Sequence, residues 1–134
     1  MPDPQAELFE KAAARASGAS GVRLGEWGEA QAAALLRRKG FRIVAQNFRT
    51  RYGELDIVAE KGGFLVFAEV KTRKNDRFAA AREAVDARKR ERLRVTAELW
   101  LQGHPTGLQP RFDVIEVYGG PGTEPELVHI ENAF

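Results

Sequence analysis

The sequence predicts a single α/β domain in which helices flank a mixed β-sheet. The chain has 134 residues, of which 43% are hydrophobic, so it carries enough apolar material for one core. Its hydrophobic periodicity changes from helical to strand-like, back to helical and again to strand-like. The second helical stretch is long enough to carry the chain across a sheet. The strand after it is therefore expected to lie parallel to one of the earlier strands.

The predicted elements follow one another with short connections. Apolar residues recur at helical spacing in two segments, which we predict as helices: residues 24–39 and 79–102. β-Branched and aromatic residues concentrate in five short segments, which we predict as strands: residues 41–48, 54–60, 64–72, 111–118 and 127–131. The first three strands should form an antiparallel meander, because Gly62-Gly63 suits a hairpin. The second helix is then the crossover to the fourth strand.

The composition excludes several classes of protein. The chain has no cysteine and two histidines, which excludes a disulfide framework, a Cys-ligated metal centre and a thiol nucleophile. Residues 1–20 are rich in Ala, Pro, Ser and Gly, and we expect a flexible N-terminal tail ahead of a domain over residues 21–134. No apolar run is long enough to span a bilayer and no secretory leader is visible, so we expect a cytoplasmic protein without a membrane partner.

The basic residues are distributed unevenly. The formal net charge is only +2, but residues 71–94 contain ten Lys or Arg and four acidic residues, a local net charge of +6. Residues 113–134 contain five acidic residues and no Lys or Arg. A basic middle beside an acidic end indicates an anionic partner for one face, and a solvated mixed-charge surface explains the same pattern equally well. Asp113 is expected to pair with a nearby arginine rather than to take part in chemistry.

Two predicted strands carry acidic residues where the sheet is otherwise apolar. Side chains two apart share a face of a strand, so Glu69 and Lys71 point the same way, and the hairpin places Asp56 beside Glu69 or one pair away. Neighbouring carboxylates repel each other unless a cation lies between them. With oxygen ligands only, the cation that fits is Mg²⁺ or Mn²⁺. The alternative is an ion pair between Glu69 and Lys71, with Asp56 as a surface acid.

A metal held by two carboxylates beside a lysine is the minimum equipment for hydrolysing a phosphodiester. The metal activates a water and neutralises charge on the phosphoryl oxygens. Lys71 would stabilise the additional negative charge of the transition state. The sequence therefore predicts Asp56, Glu69 and Lys71 as catalytic residues, with Asp56 and Glu69 also serving as metal ligands.

Further candidate residues lie on the helices and after the third strand. Glu29 is close to the inward stripe of the first helix and is a candidate auxiliary metal ligand. Arg73 and Lys74 follow Lys71 and would reach a nucleic-acid backbone, although a solvated loop explains them equally well. Lys89 interrupts the apolar stripe of the second helix and is either a second phosphate contact or a lysine that snorkels past the core.

Motifs in this sequence resemble those of two related groups of proteins. The segments GELDIVA (residues 53–59) and VFAEVK (residues 66–71) resemble the nuclease core shared by restriction endonucleases and archaeal Holliday-junction resolvases. Residues 25–134 resemble the YraN family of bacterial proteins through the following motifs: GEWGE (25–29), NFR (47–49), GELD (53–56), FAEVKTR (67–73), RFDV (111–114) and ENAF (131–134). Leu55-Asp56 stands where restriction enzymes commonly have Pro-Asp, as in the resolvase branch.

The resemblance implies a restriction-endonuclease-like fold with a nuclease site. In that superfamily the metal ligands correspond to Asp56 and Glu69, the catalytic lysine to Lys71 and a helical carboxylate to Glu29. The implied function is a metal-dependent endonuclease that hydrolyses DNA phosphodiesters, with branched DNA as a candidate substrate and a homodimer as a compatible assembly. Two alternatives remain: a module on the same fold that binds nucleic acid without cutting it, and a structural protein whose acid–lysine cluster is an ion-pair network.

Overall fold

The computed structural model describes residues 20–74 and 86–134. Helices and strands follow there in the order α1 (Ser20–Arg38), β1 (Arg42–Thr50), β2 (Gly53–Lys61), β3 (Phe64–Arg73), α2 (Ala87–Gly103), β4 (Gln109–Tyr118) and β5 (Glu126–Ile130). The five predicted strands agree with the observed strands to within two residues at each end. The predicted flexible tail lies outside the described residues, apart from Ser20, which begins α1.

The strands form one mixed sheet in the order β1-β2-β3-β4-β5. β1, β2 and β3 are an antiparallel meander, β4 runs parallel to β3, and β5 is antiparallel to β4. The β2–β3 hairpin turns through Gly62 and Gly63, whose φ angles of 58° and 85° lie in the region that favours glycine. The predicted α/β fold, with a meander, a crossover helix and a further strand, is therefore confirmed.

Apolar side chains pack on both faces of the sheet. One face is covered by α1, where Ala32 and Leu36 belong to the same buried cluster as Ile57 and Ile115. The other face is covered by α2, and its core contains these buried side chains: Leu55, Val58, Leu65, Phe67, Leu93, Ala97, Trp100 and Val114. Charged side chains within a sheet covered on both faces need partners. In residues 20–74 and 86–134, neither helix is both long enough and apolar enough to cross a membrane.

Helix α2 begins later than the sequence predicts. Asp86 has an extended backbone, with φ −69° and ψ 169°, and its Oδ1 accepts a hydrogen bond from the Lys89 N–H at 2.8 Å. An aspartate in this position caps the helix, because its side chain satisfies an N–H group that has no partner within the first turn. One continuous helix from Ala79 is therefore wrong, and residues 79–85 lie outside the described part of the chain. The apolar stripe of α2 is buried at Leu93, Thr96, Ala97 and Trp100.

Asp113 of β4 is fully buried and is surrounded by hydrogen-bond partners. Arg111 donates to both carboxylate oxygens, at 2.8 and 2.9 Å, which confirms the expected pairing with a nearby arginine. His129 Nε2 lies 2.7 Å from Oδ2, and the Asn132 N–H donates to Oδ1 at 2.9 Å. Burial acts to raise the pKa of Asp113, but the bonds from His129 and Arg111 outweigh burial and lower this pKa to about 2.

We expect Asp113→Asn to lower the free energy of unfolding by about 3 kcal/mol at neutral pH, because it removes the charge that the mostly buried Arg111 side chain faces. The folded-state pKa lies below the unfolded value of 3.8, so the charge of Asp113 contributes its full stabilisation above about pH 4 and loses it as the pH falls through 2. Urea unfolding between pH 2 and 7 should show the wild-type advantage shrinking in that acid range. Glu126→Gln, at an exposed residue of β5, is the control. A difference that stays constant down to pH 2 contradicts this assignment.

Candidate functional site

The sheet opens between β2 and β3. Backbone pairing of these two strands ends at Ile57 and Ala68, whereas the pairing of β2 with β1 and of β3 with β4 continues beyond that point. At the opening, Asp56 Oδ2 accepts a hydrogen bond from the Val70 N–H at 2.9 Å. The side chain of Asp56 thus replaces a backbone acceptor, and the two halves of the sheet separate around it.

A cavity of about 540 Å³ lies at this opening, between the sheet and α2. Asp56 and Glu69 both line it, so the structure brings together the two carboxylates that the sequence predicts as metal ligands. The acidic lining residues from the sheet are Glu54, Asp56 and Glu69, and the basic lining residues from α2 are Arg88, Lys89 and Arg92. Acidic groups facing basic groups across a cavity suit a divalent cation together with a phosphate group.

Glu29 of α1 joins the acidic residues of β2. One carboxylate oxygen from each of Glu29, Glu54 and Asp56 lies within 4.8 Å of the other two, and we call these three residues the carboxylate cluster. Asn47 of β1 connects two of its members. In the amide orientation that satisfies its hydrogen bonding, the Asn47 nitrogen donates to Glu54 Oε1 at 2.9 Å and to Glu29 Oε2 at 3.1 Å.

Helix α1 reaches the carboxylate cluster because it passes close to the end of β3. A Cβ atom at Gly28 would lie 1.8 Å from Thr72 Oγ1, so this approach requires glycine. Glu26, one turn before Glu29, has a buried Oε2 atom without a hydrogen-bond partner in residues 20–74 and 86–134. Its negative charge acts on Glu29 as well, so α1 adds two acidic groups to this region.

The charges of the carboxylate cluster repel one another. Burial, followed by the negative charge of Glu69, raises the pKa of Asp56 to about 8. Burial, followed by the negative charge of Glu54, raises the pKa of Glu29 to about 7. Carboxyl groups with such high pKa values are not all ionised near neutral pH unless a cation compensates their charge.

The carboxylate cluster fits a hard divalent cation. Octahedral Mg²⁺ holds its oxygen ligands at about 2.1 Å, so opposite ligand oxygens lie about 4.2 Å apart. The spread of at most 4.8 Å in the cluster is close to that value. All three donors are carboxylate oxygens, which favours Mg²⁺ or Mn²⁺ over softer metals. Asn47 orients two of the carboxylates, as an outer hydrogen-bond partner of a metal ligand does.

Glu69 is paired with a lysine of α2. Glu69 Oε1 lies 2.8 Å from Lys89 Nζ, and the Glu69 side chain is mostly buried. Burial disfavours the charged form of Lys89, but the hydrogen bond and the charge of Glu69 outweigh burial and raise the pKa of Lys89. The pKa of Lys71 is lowered, mainly by burial and then by the neighbouring Lys89. We call the three residues Glu69, Lys71 and Lys89 the lysine group, and they lie beside the carboxylate cluster.

Arg73 and Lys74 lie past Lys71, at the end of β3. Arg73 is half-buried, and its C=O accepts a hydrogen bond from the Gly119 N–H at 2.8 Å, whereas Lys74 is exposed. In the described part of the chain, neither side chain lines the cavity. The contact of Arg73 and Lys74 with nucleic acid stays a prediction. Among the described residues, Lys89 is the only one of the three predicted nucleic-acid contacts that lines the cavity.

The sequence does not predict the positions of Glu54 and Asn47 in the site. Strand alternation puts Glu54 on the same face as Asp56, and this pattern is the one sign of its proximity. Asn47 has a φ of 55°, a left-handed conformation that asparagine adopts more readily than most residues. Nothing in the strand-like segment around Asn47 indicates that conformation.

The mixed sheet, its opening and the acidic site beside it define the class of this protein, an α/β protein with a nuclease-like sheet. Within that class the family follows from comparison with known sequences. The family model described as "Uncharacterised protein family UPF0102" matches residues 28–117, and the chain belongs to this family. The resemblance to the YraN family is thereby confirmed.

Individual relatives match along almost their whole length. A UPF0102 protein of Syntrophomonas wolfei is 46% identical over 112 residues, which cover 83% of this chain and 96% of the relative. A UPF0102 protein of Symbiobacterium thermophilum is 47% identical over 113 residues, 84% of this chain and 96% of the relative. A UPF0102 protein of Rhodococcus jostii is 40% identical over 117 residues, 87% of this chain and 99% of the relative. These names state no activity, so the function has to be inferred from the site.

Proposed function

We propose that this protein is a metal-dependent endonuclease that hydrolyses DNA phosphodiesters and uses Mg²⁺ or Mn²⁺. The observation that carries the proposal is the carboxylate cluster next to the lysine group, at the opening of the sheet. The resemblance to the resolvase branch makes branched DNA the candidate substrate. The basic residues of α2 on the cavity supply the charge that a phosphate backbone requires.

Asp56, Glu29 and Glu69 are the proposed metal ligands, and Glu54 lies within reach of the same position. Asp56 is the central ligand, because it belongs to the carboxylate cluster, lines the cavity and lies close enough to Glu69 for the two charges to repel each other. When bound, the cation would supply an activated water and neutralise charge on the phosphoryl oxygens. Glu69 would exchange its ion pair with Lys89 for a place beside the cation.

Lys71 is the proposed stabiliser of the transition state. Its side chain lies close enough to Lys89 and Glu69 for both charges to act on it. An ammonium group held there would face the additional negative charge that develops on the phosphoryl oxygens during hydrolysis. Because Glu69 would then bind the cation, the charge of Lys71 would remain available for the substrate.

The α2 side of the cavity supplies contacts for the DNA backbone. Arg88 and Arg92 line the cavity, and a guanidinium can bind a phosphate through two hydrogen bonds. Arg73 and Lys74 would extend this basic surface past Lys71. Each phosphate contact releases counterions from DNA, so binding should weaken steeply as the salt concentration rises.

A second candidate function is nucleic-acid binding without cleavage. The ion pair between Glu69 and Lys89 favours it, because a predicted metal ligand is neutralised there by a side chain of the protein itself. In that case the acidic residues would orient the lysines, and the basic residues of α2 would bind the backbone. Cleavage in the presence of a divalent metal separates the two candidates.

We expect the wild-type protein to cut at least one member of a panel of linear, flapped and four-way DNA substrates when Mn²⁺ or Mg²⁺ is present. Cleavage should stop when EDTA removes the metal. Labelled strands resolved on denaturing gels provide the measurement, and the Asp56→Asn protein, purified in the same way, controls for contaminating nucleases. If no substrate is cut while binding remains salt-sensitive, the binding function replaces the nuclease.

A further inference from the structure

An exposed tyrosine stands at the edge of the proposed nuclease site. Tyr52 occupies the turn between β1 and β2, and its side chain is 44% exposed. It lines the cavity that contains Asp56 and Glu69, and it also lines a neighbouring cavity of about 720 Å³. Tyr52 therefore connects the proposed catalytic groups to a second open space.

The turn holds the tyrosine ring in a defined position. The Tyr52 N–H donates to Thr50 Oγ1 at 3.1 Å, and Thr50 Oγ1 donates to the Gly53 C=O at 3.2 Å. Arg51 Nη2 donates to the Tyr52 hydroxyl at 2.6 Å, and the Arg51 Cζ atom lies 4.9 Å from the ring centroid. A Cβ atom at Gly53 would lie 3.1 Å from Thr96 Oγ1, so the turn rests closely against α2.

The charges around the ring suit a nucleotide. Arg88 and Arg92 line both cavities, and Arg51 lines the second one. Among the described residues, Glu91 of α2 is the one acidic residue that lines the second cavity. An aromatic ring beside several arginines is the combination that binds a nucleobase by stacking and its phosphate by hydrogen bonding.

A base within a continuous duplex cannot stack on this ring. Both faces of a paired base are covered by its neighbours, so a protein aromatic group reaches a base face only where the strand is unpaired or the base is extruded. Tyr52 lies on the same cavity as Asp56, so a base stacked there would belong to a nucleotide close to the phosphate held at the carboxylate cluster.

We propose that Tyr52 is a stacking platform for an unpaired nucleobase, and that the substrate of this site is DNA at a junction between duplex and single strand. The position of the scissile phosphate rests on the proposed function, whereas base stacking can be measured without cleavage. The aromatic ring of Tyr52 is the group that selects an unpaired base. Arg51 is a positioning residue that acts through this ring.

The test uses 2-aminopurine, a fluorescent base whose emission falls when it stacks on an aromatic ring. One flapped DNA carries it at the first unpaired nucleotide, and a matched linear duplex carries it in a base pair. Both are titrated with the full-length protein in EDTA, so that cleavage does not interfere. We expect wild type and Tyr52→Phe to quench the probe in the flapped DNA and not in the duplex. Tyr52→Ala should not quench the probe, and its affinity for the flapped DNA should be about tenfold lower.

Phe64→Ala is the matched control. Phe64 is 37% exposed and lies in the β2–β3 hairpin region, at the other end of β2 from Tyr52, so its loss should change neither quenching nor affinity. Equal quenching of paired and unpaired probes, or normal quenching by Tyr52→Ala, would overturn the platform. Quenching without any Mn²⁺-dependent cleavage would support the platform and reject the nuclease. Cleavage that is unaffected by Tyr52→Ala, together with no quenching, would support the nuclease and reject the platform.

Discussion

Asp56→Asn is expected to reduce DNA cleavage by at least about a thousandfold while DNA binding stays intact or becomes tighter. The substitution removes an anionic ligand from the position where Glu29, Glu54 and Asp56 meet, so the activated water and the neutralising charge are lost. It also removes a negative charge from a cavity that has to admit a phosphate, which favours the bound substrate. Single-turnover cleavage and fluorescence anisotropy, measured on the same labelled DNA, give the two quantities.

Glu60→Gln is the matched control for Asp56→Asn. Glu60 lies on the same strand, near the end of β2 away from the opening, and pairs with Arg42 at 2.7 Å. Its substitution changes the net charge by the same amount but leaves the carboxylate cluster untouched, so cleavage should remain at the wild-type level. An Asp56→Asn protein that cuts as fast as wild type would lead us to abandon the nuclease in favour of the binding function.

Lys71→Ala is expected to reduce cleavage by about a hundredfold to a thousandfold and to weaken DNA binding slightly. The ammonium group is the proposed partner of the charge that develops in the transition state, so most of its effect should fall on the cleavage rate. The same measurements on Lys61→Ala, a lysine at the other end of the β2–β3 hairpin, control for the lost positive charge. Unchanged cleavage by Lys71→Ala contradicts the role proposed for this lysine.

The two variants are expected to change DNA affinity in opposite directions. Asp56→Asn removes a negative charge and Lys71→Ala removes a positive charge from neighbouring parts of one site, yet both should lose cleavage. A loss of folding would weaken binding in both cases. Opposite shifts in affinity with a shared loss of activity therefore distinguish a catalytic site from a damaged fold.

The sequence predicts the sheet well because strand periodicity and turn residues are local properties. Gly62-Gly63 specifies the β2–β3 hairpin, and the length of the second helix indicates the parallel pairing of β3 with β4. The start of α2 is not predicted, because helical spacing of apolar residues continues through Asp86. The Asp86 side chain accepts a hydrogen bond from the Lys89 N–H and caps the first turn, so α2 begins there.

The candidate site is predicted in part for a similar reason. Alternation along β2 and β3 is enough to place Asp56 and Glu69 near one another, and both line one cavity. The pairing of Glu69 with Lys89 depends on how α2 packs across the sheet, which no local pattern specifies. The contribution of Glu29 depends on the close approach of α1 at Gly28, which is a property of the packed structure.

The most direct test of the central claim is the location of bound manganese. Crystals of the wild-type protein soaked in MnCl₂ and measured at the manganese absorption edge should show an anomalous peak within coordination distance of Asp56 and Glu29. Glu69 should turn away from Lys89 toward that peak. A map without a peak at the carboxylate cluster, with the ion pair between Glu69 and Lys89 intact, would contradict the metal-dependent nuclease.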